Sequence, residues 1–171
     1  MTQPIDYRRA TANDILILCE LGQILNASHH AVHPAFFAPA TADVARDRAH
    51  WLPSLEEKNR ATFLAEQDGV AVGFITLQVT QPTSTLLQPS TIARIGSIGV
   101  VERCRGQGVG RALLGLAEHW AREQGAIDIR LNVWSFNEGA IALYQEFGYE
   151  IYALEMGKPV NPCDAGIPKT T

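Results

Sequence analysis

Val100-Val-Glu-Arg-Cys-Arg-Gly-Gln-Gly-Val-Gly-Arg111 decides how this chain is read. An apolar, β-rich run from Ile92 to Val101 leads into it, and Gly106, Gly108 and Gly110 alternate through its second half. A strongly amphipathic helical pattern starts at Val109. Strand, glycine loop and helix start, in that order, form a device for holding a phosphate. The first N–H groups of a helix have no partner inside it, and the helix dipole favours negative charge at that end. Glycines let the backbone approach a ligand and adopt positive φ. Arg105 and Arg111 flank the loop with positive charge.

The spacing sets aside two better-known phosphate loops. A Walker A loop needs a Lys and a hydroxyl after its last glycine, and here Arg111-Ala112 follows. The dinucleotide fingerprint needs G-x-G-x-x-G, which Gly106-Gln-Gly108-Val-Gly110-Arg does not match.

Composition bounds the rest. A chain of 171 residues is most simply one domain, 1–171. Hydrophobic content of 46% and charged content of 19% are ordinary for a globular protein. A formal net charge of −4 gives no global attraction to nucleic acid or to anionic membrane, and would mildly favour a cationic substrate such as an amine. The apolar runs fall short of a membrane span, and Met1-Thr-Gln-Pro-Ile-Asp6 carries no signal-peptide pattern. Cys19, Cys104 and Cys163 lie far apart without a C-x-x-C pair. They read as free thiols of a cytoplasmic protein, and no metal-ligand set is expected.

The remaining elements follow from periodicity. Ile5 to Arg9 reads as a strand, and Thr11 and Asp14 have the spacing of a capping box. Ile15, Leu18, Cys19, Gly22 and Leu25 recur at helical spacing, widened by Leu16, Ile17 and Leu21, so this helix should be mostly buried. His29 to Pro39 is expected to be a loop, and Ala42 to Leu52 a second helix ending near Pro53. Ala61–Glu66 and Val70–Val79 read as strands around an Asp68-Gly69 turn. Gly96 and Gly99 disturb the alternation of Ile92–Val101, which suggests a bulge or a close backbone approach. After the Val109 helix, stopped by Gly125, come a strand over Ile127–Val133 and a short helix capped by Asn137 and ended by Gly148. The inner face of that helix is Ala140, Tyr144 and Phe147. A last strand is expected over Tyr149–Met156 and an irregular tail over 158–171. The order β-α-α-β-β-β-α-β-α-β predicts a mixed sheet with helices on both faces and a right-handed parallel crossover around the glycine loop.

Two motifs now stand in order. Arg105-Gly106-Gln107-Gly108-Val109-Gly110 fits R-x-x-G-x-G. Asn137, Ala140, Tyr144, Gly148 and Tyr149 fill every position of N-x-x-A-x-x-x-Y-x-x-x-G-[FY]. Together they resemble the GNAT-type N-acetyltransferases, chiefly over a cofactor core of 92–156. The resemblance implies an α/β (α+β) fold: a central mixed, mostly antiparallel sheet with a splayed parallel strand pair, flanked by helices. It implies acetyl-coenzyme A as cofactor, its pantetheine arm on Ile98, Gly99 and Val100 and its pyrophosphate on Arg105 to Gly110 beside Arg111. Asn137 would reach the coenzyme arm, Ala140 would be a further cofactor-binding residue, and Tyr144 would sit near the sulfur. Glu102 and Cys104 depart from the family pattern, which often has Pro and an aromatic there.

The chemistry accounts for those residue types. An amine attacks a thioester carbonyl, whose developing oxyanion needs a fixed donor such as the Val100 N–H. A thiolate leaves, and a tyrosine hydroxyl can protonate it, which casts Tyr144 as general acid. The base is left open. The strand before the loop has no carboxylate, and the candidates are Glu20, His29, His30 and His33, of which His33 is preferred as a catalytic and substrate-side residue; an acceptor already deprotonated needs none. The acceptor side is expected to be built from Phe36 and Phe37, Phe74 with Thr76, and Trp134 with Ser135. These aromatic, sparsely charged groups favour a small apolar amine or a peptide N-terminus over a polycation. A non-catalytic acetyl-coenzyme A sensor and an acyltransferase using another acyl donor are the alternatives. The resemblance alone motivates a homodimer.

Overall fold

The tightest local instruction in the chain is Asp68-Gly69. Their φ values of 53° and 75° make the two-residue turn whose twist matches paired strands. It joins β2 (Arg60–Gln67) to β3 (Val70–Thr80). A computed structural model describes residues 4–158. Its sheet runs β1-β2-β3-β4-β5, with β1 at Asp6–Arg9, β4 at Ile92–Val100 and β5 at Asp128–Leu131. Among the described residues only β4 and β5 pair in parallel, and the other pairs are antiparallel. The fold is the expected mixed, mostly antiparallel sheet flanked by helices.

The described residues also form four α-helices: α1 (Ile15–Val32), α2 (Arg48–Glu56), α3 (Val109–Glu123) and α4 (Glu138–Glu146). Successive residues of β3 show that helices cover both faces. The ring of Phe74 meets Trp51 of α2 edge-on at 5.6 Å, while a Cβ on Gly73 would lie 3.4 Å from Val109 of α3. Val72 to Leu77 are accordingly all buried. The α1–α2 contact needs Gly22, since a Cβ there would come within 2.4 Å of the Trp51 ring. The residues fall into two compact units, one ending at Asn132 and the other starting at Val133. Among the described residues no helix is long and apolar enough to cross a membrane, and no cluster of side chains could hold a metal ion.

Several expectations need correction. Helix α1 runs through His29 and His30 to Val32, because no breaker precedes Pro34; His33, the residue before that proline, leaves the helix at φ −131°, ψ 72°. It is also less buried than its stripe suggested: Leu16, Ile24 and Val32 are exposed. The second helix starts later, after a 3-10 turn over Val44–Asp47, and carries Pro53 inside it. The missing N–H costs only the bond to the carbonyl of Ala49, an exposed residue that water can serve. Strand β5 is shorter than expected. Tyr149–Met156 forms no strand; alternation specifies a strand only when a neighbour takes its hydrogen bonds, and Ile151, Tyr152, Leu154 and Met156 are exposed. Cys163 and nearly all of the expected irregular tail lie outside the described residues.

Candidate active site

In the first unit the site begins at a bulge. Up to Ile95, β4 pairs with Leu77 of β3; beyond it, Ser97 stands opposite Thr76, so Gly96 is one extra residue. The Ser97 N–H donates to Thr76 Oγ1 at 2.9 Å, and a Cβ on Gly96 would crowd that same oxygen. Pairing with β5 covers Ile92–Ile95 and stops at the bulge.

The bulge changes which amides face outward. Before it, the carbonyl of Thr91 accepts from Ile127 N–H at 2.9 Å, so odd-numbered residues address the β5 side. After it, Val101 N–H donates to Val72 O at 2.8 Å, so odd-numbered residues address β3. The backbone groups of Ile98 and Val100 therefore point away from β3, along the stretch where β5 no longer pairs. The resemblance places a splay of the parallel pair here, and pairing of β4 with β5 ends at Ile95, one residue before the bulge.

The loop follows. A 3-10 turn over Glu102–Cys104 leads to Arg105, whose Nε donates to Val100 O at 3.0 Å. Gln107 Nε2 donates to the Arg103 carbonyl at 2.8 Å, so its side chain closes the loop. Gly106 and Gly108 have φ of 72° and 83°, a region closed to most side chains, and nothing lies within 4 Å of where their Cβ atoms would be. Gly108 is the N-cap of α3 and offers no side chain to the first-turn amides of Val109, Gly110 and Arg111. The Val109 side chain is buried and anchors the helix, which leaves only its amide for the loop. Arg111 is exposed.

Helix α1 contributes residues that the sequence reading treated as plain core. Leu21, Ile24 and Leu25 line one side of a cleft whose other side is Gly99, Val100 and Val101. Phe74 and Arg105 line it as well. Gly99 is required there, since a Cβ would lie 2.9 Å from the Phe74 ring. The available signal was an apolar stripe that continued past the length a narrow sheet could bury.

Phe74 and Thr76 are buried, and of the two Phe74 lines that cleft. At the far end of α1, the ring of His29 lies 4.9 Å from Phe37, His30 Nδ1 lies 2.6 Å from the Phe37 carbonyl oxygen, and His33 lies edge-on to Phe36 at 6.0 Å. Burial pushes the His29 pKa down, which favours its neutral, proton-accepting form. Glu20 and His33 are exposed.

The second unit holds the other motif. Asn137 Oδ1 accepts from Ala140 N–H at 3.3 Å, capping α4. Gly148, at φ 83°, ends the helix with Gly148 N–H on Gln145 O and Tyr149 N–H on Tyr144 O. Tyr144 is buried, its ring 5.8 Å from that of Tyr149, and burial pushes its hydroxyl pKa up to about 12. Trp134 stacks near Phe136 at 6.0 Å and is half exposed, beside the exposed Ser135.

Comparison with known proteins bears on the family and the fold. A mycothiol acetyltransferase of Frankia casuarinae is 31% identical over 136 residues, 77% of this chain but 38% of that protein. An N-alpha-acetyltransferase of Sulfurisphaera tokodaii is 36% identical over 100 residues, 56% of this chain and 60% of its own length. The chain thus spans less than two thirds of either relative. The structure of a tetramutant of the BH1408 protein from Bacillus halodurans superposes with a TM-score of 0.81 at 18% identity, covering 91% of this chain and 99% of that one, which establishes the fold. The sequence profile of the Acetyltransferase (GNAT) family matches residues 25–149, across both units. The chain belongs to that family.

Proposed function

We propose that the protein is an acetyl-coenzyme A-dependent N-acetyltransferase that acts, through a ternary complex, on a primary amine of a small molecule or a peptide N-terminus. One observation carries the reading: a helix N-terminus with no side-chain cap adjoins a strand whose Ile98 and Val100 amides face outward. The first suits a diphosphate; the second suits an amide-bearing arm ending in a thioester. The residues fit the group, because positive-φ glycines leave space over the loop and Arg105 supplies charge beside it. The family match and the two acetyltransferase relatives support the same donor. Free, buried thiols at Cys19 and Cys104 are in keeping with a reducing cytoplasm.

The bound thioester supplies the activated acyl group. With it bound, an amine nitrogen would attack the carbonyl carbon, forming a C–N bond as the C–S bond breaks. The outward Val100 N–H would be the donor available to the carbonyl oxygen as charge grows there. Tyr144, pushed up to about 12, keeps its proton throughout the neutral range. A thiol ionises near about 8.5, so outright proton transfer from this hydroxyl to the sulfur runs uphill. Tyr144 therefore acts first as a hydrogen-bond donor to the departing sulfur. The ammonium proton passes to His33 or through water to solvent, and the neutral form of His29 favours it as a second acceptor. The aromatic residues Phe36, Phe37 and Trp134 favour an acceptor with an apolar body.

Calorimetric titration with coenzyme A, followed by thiol release across a panel of amines, tests the proposal. Tyr144→Phe should retain coenzyme A affinity and lower kcat by about 100-fold. The wild-type rate should show no alkaline limb from this hydroxyl below about pH 11, since its raised pKa keeps it protonated there. Binding without thiol release for any amine would leave a sensor rather than an enzyme.

A further inference from the structure

We propose that Arg94 receives an anionic group, a carboxylate or a phosphate, carried by the amine acceptor. The proposal rests on the acetyltransferase reading above and narrows the class of its acceptor. Arg94 is exposed on β4. The register sets Gln78 of β3 on one side of it and Arg130 of β5 on the other. Residues opposed across paired strands share a sheet face, and like charges directly opposite are destabilising. Arg60 of β2, opposite Gln78, extends the same row. Arg60 and Arg130 each have a carboxylate of their own, Glu57 at 2.6 Å and Asp128 at 2.7 Å. Among the described residues Arg94 has none. The row therefore carries three guanidinium groups against two carboxylates, and the uncompensated charge is the exposed one. A guanidinium placed beside another, with no acid to offset it, matches an oxyanion that arrives from outside.

Arg94 also shares its sheet face with the site. Phe74, Thr76 and Gln78 alternate onto one face of β3, and their partners Gly99, Ser97 and Arg94 lie on that face of β4. It is the face of the cleft, where Gly99 adjoins Phe74 and Leu25. Between the cleft and Arg94 the strand is bare. Gly96 is exposed, and among the described residues beyond its chain neighbours only Thr76 has atoms within 4 Å of a Cβ built there. Counted along β3, Arg94 stands three residues from Ile98 and five from Val100, or about 10 and 17 Å between backbones. The length of an arginine side chain can shorten that span to the size of a small molecule. An amine attacking beside these outward amides, with an oxyanion several bonds away, would lie along the bare stretch. A second cationic group would meet Arg94 unfavourably, which tells against polyamines.

The test supplies the full chain with acetyl-coenzyme A and matched acceptors: short peptides and ω-amino acids ending in a carboxylate, their carboxamides, and amines ending in a phosphate. Thiol release gives kcat/KM for each. The best charged acceptor should exceed its neutral match by about tenfold or more, and the carboxylate and phosphate arms tell the two anions apart. Arg94→Gln should bring that ratio to within about threefold. Arg94→Lys, which keeps the charge without the fork, should fall between. Where no amine releases thiol, calorimetric titration of the same pairs into the coenzyme A complex makes the comparison by binding. Charged and neutral matches treated alike, or neither bound, overturns the proposal and leaves the donor site standing. A preference that Arg94→Gln leaves unchanged overturns the assignment to Arg94. Failure to bind coenzyme A at all overturns both readings.

Discussion

The chain begins two of its helices in opposite ways. Ahead of α1 a capping box of Thr11 and Asp14 ties the turn together inside the protein. Asp14 accepts from Thr11 N–H at 2.8 Å and from the Arg8 guanidinium at 2.7 and 2.9 Å, and Arg8 also donates to Glu66 at 2.7 Å. Ahead of α3 stands Gly108, with no side chain at all. Both termini carry the same unpaired amides and the same dipole. One is preceded by a capping box of Thr11 and Asp14, locked by Arg8, and serves stability. The other is left for something from outside, and its stability comes from Val109, Leu113, Ala117 and Trp120, which are buried beneath it. A helix start whose polar groups are left uncapped while its apolar face is fully used is a physical mark of a binding site.

The largest test of that contrast closes the open terminus. Gly108→Asp would offer the α3 amides an internal carboxylate and set a negative charge in the anion's place. Coenzyme A affinity should fall by about 100-fold, or roughly 2.8 kcal/mol, in a calorimetric titration. Folding should lose no more than about 2 kcal/mol, the cost of a side chain in the left-handed region. Unaltered affinity would remove the loop from the binding site.

The converse test opens the closed terminus. The Arg8 guanidinium holds the Asp14 carboxyl down at about 2, with the Thr11 donors assisting. A carboxylate depressed in the folded state contributes stability above its unfolded pKa and loses it as pH falls through the folded one. The contribution should thus be complete above about pH 4 and vanish toward pH 2, with a size near 2 kcal/mol, less some screening because Arg8 is partly exposed. Urea melts of Asp14→Asn should show that loss at pH 7 and little difference from wild type at pH 2. A constant gap across this range would mean that the cluster does not titrate as a unit.

The smallest effect belongs to the third start, α4, where Asn137 caps Ala140 N–H. Asn137→Ala should cost about 1 kcal/mol in a thermal melt. A drop in coenzyme A affinity beyond what that loss explains would show that this cap also touches the ligand; affinity tracking stability would make it structural only.

The parts of the fold that local chemistry dictates could be read from the sequence. Asp68-Gly69 admits one tight turn, Gly125 and Gly148 stop helices at positive φ, and Gly108 opens α3. The parts that depend on a distant neighbour could not. Nothing within Tyr149–Met156 says whether another strand will meet it, and nothing within α1 says that Ile24 and Leu25 would border Gly99 rather than disappear into the core. Gly96 and Gly99 announced an irregular strand, yet only pairing assigned the extra residue to position 96 and gave Gly99 its separate duty of making room for Phe74. The acceptor side was the hardest to foresee, because Phe36, Phe37 and Trp134 lie on irregular segments where periodicity carries no information.

The bulge at Gly96 has a consequence for what this strand can tolerate. A pleat counts only odd and even, so the single surplus residue is a change of sign applied to everything downstream. Substitutions at position 96 would test the comfort of Thr76; a one-residue deletion would reverse the sign and turn the amides of Ile98 and Val100 inward to β3. Length at this point therefore matters more than identity. A second deletion or an added residue before Val101 would restore the parity that the first removed.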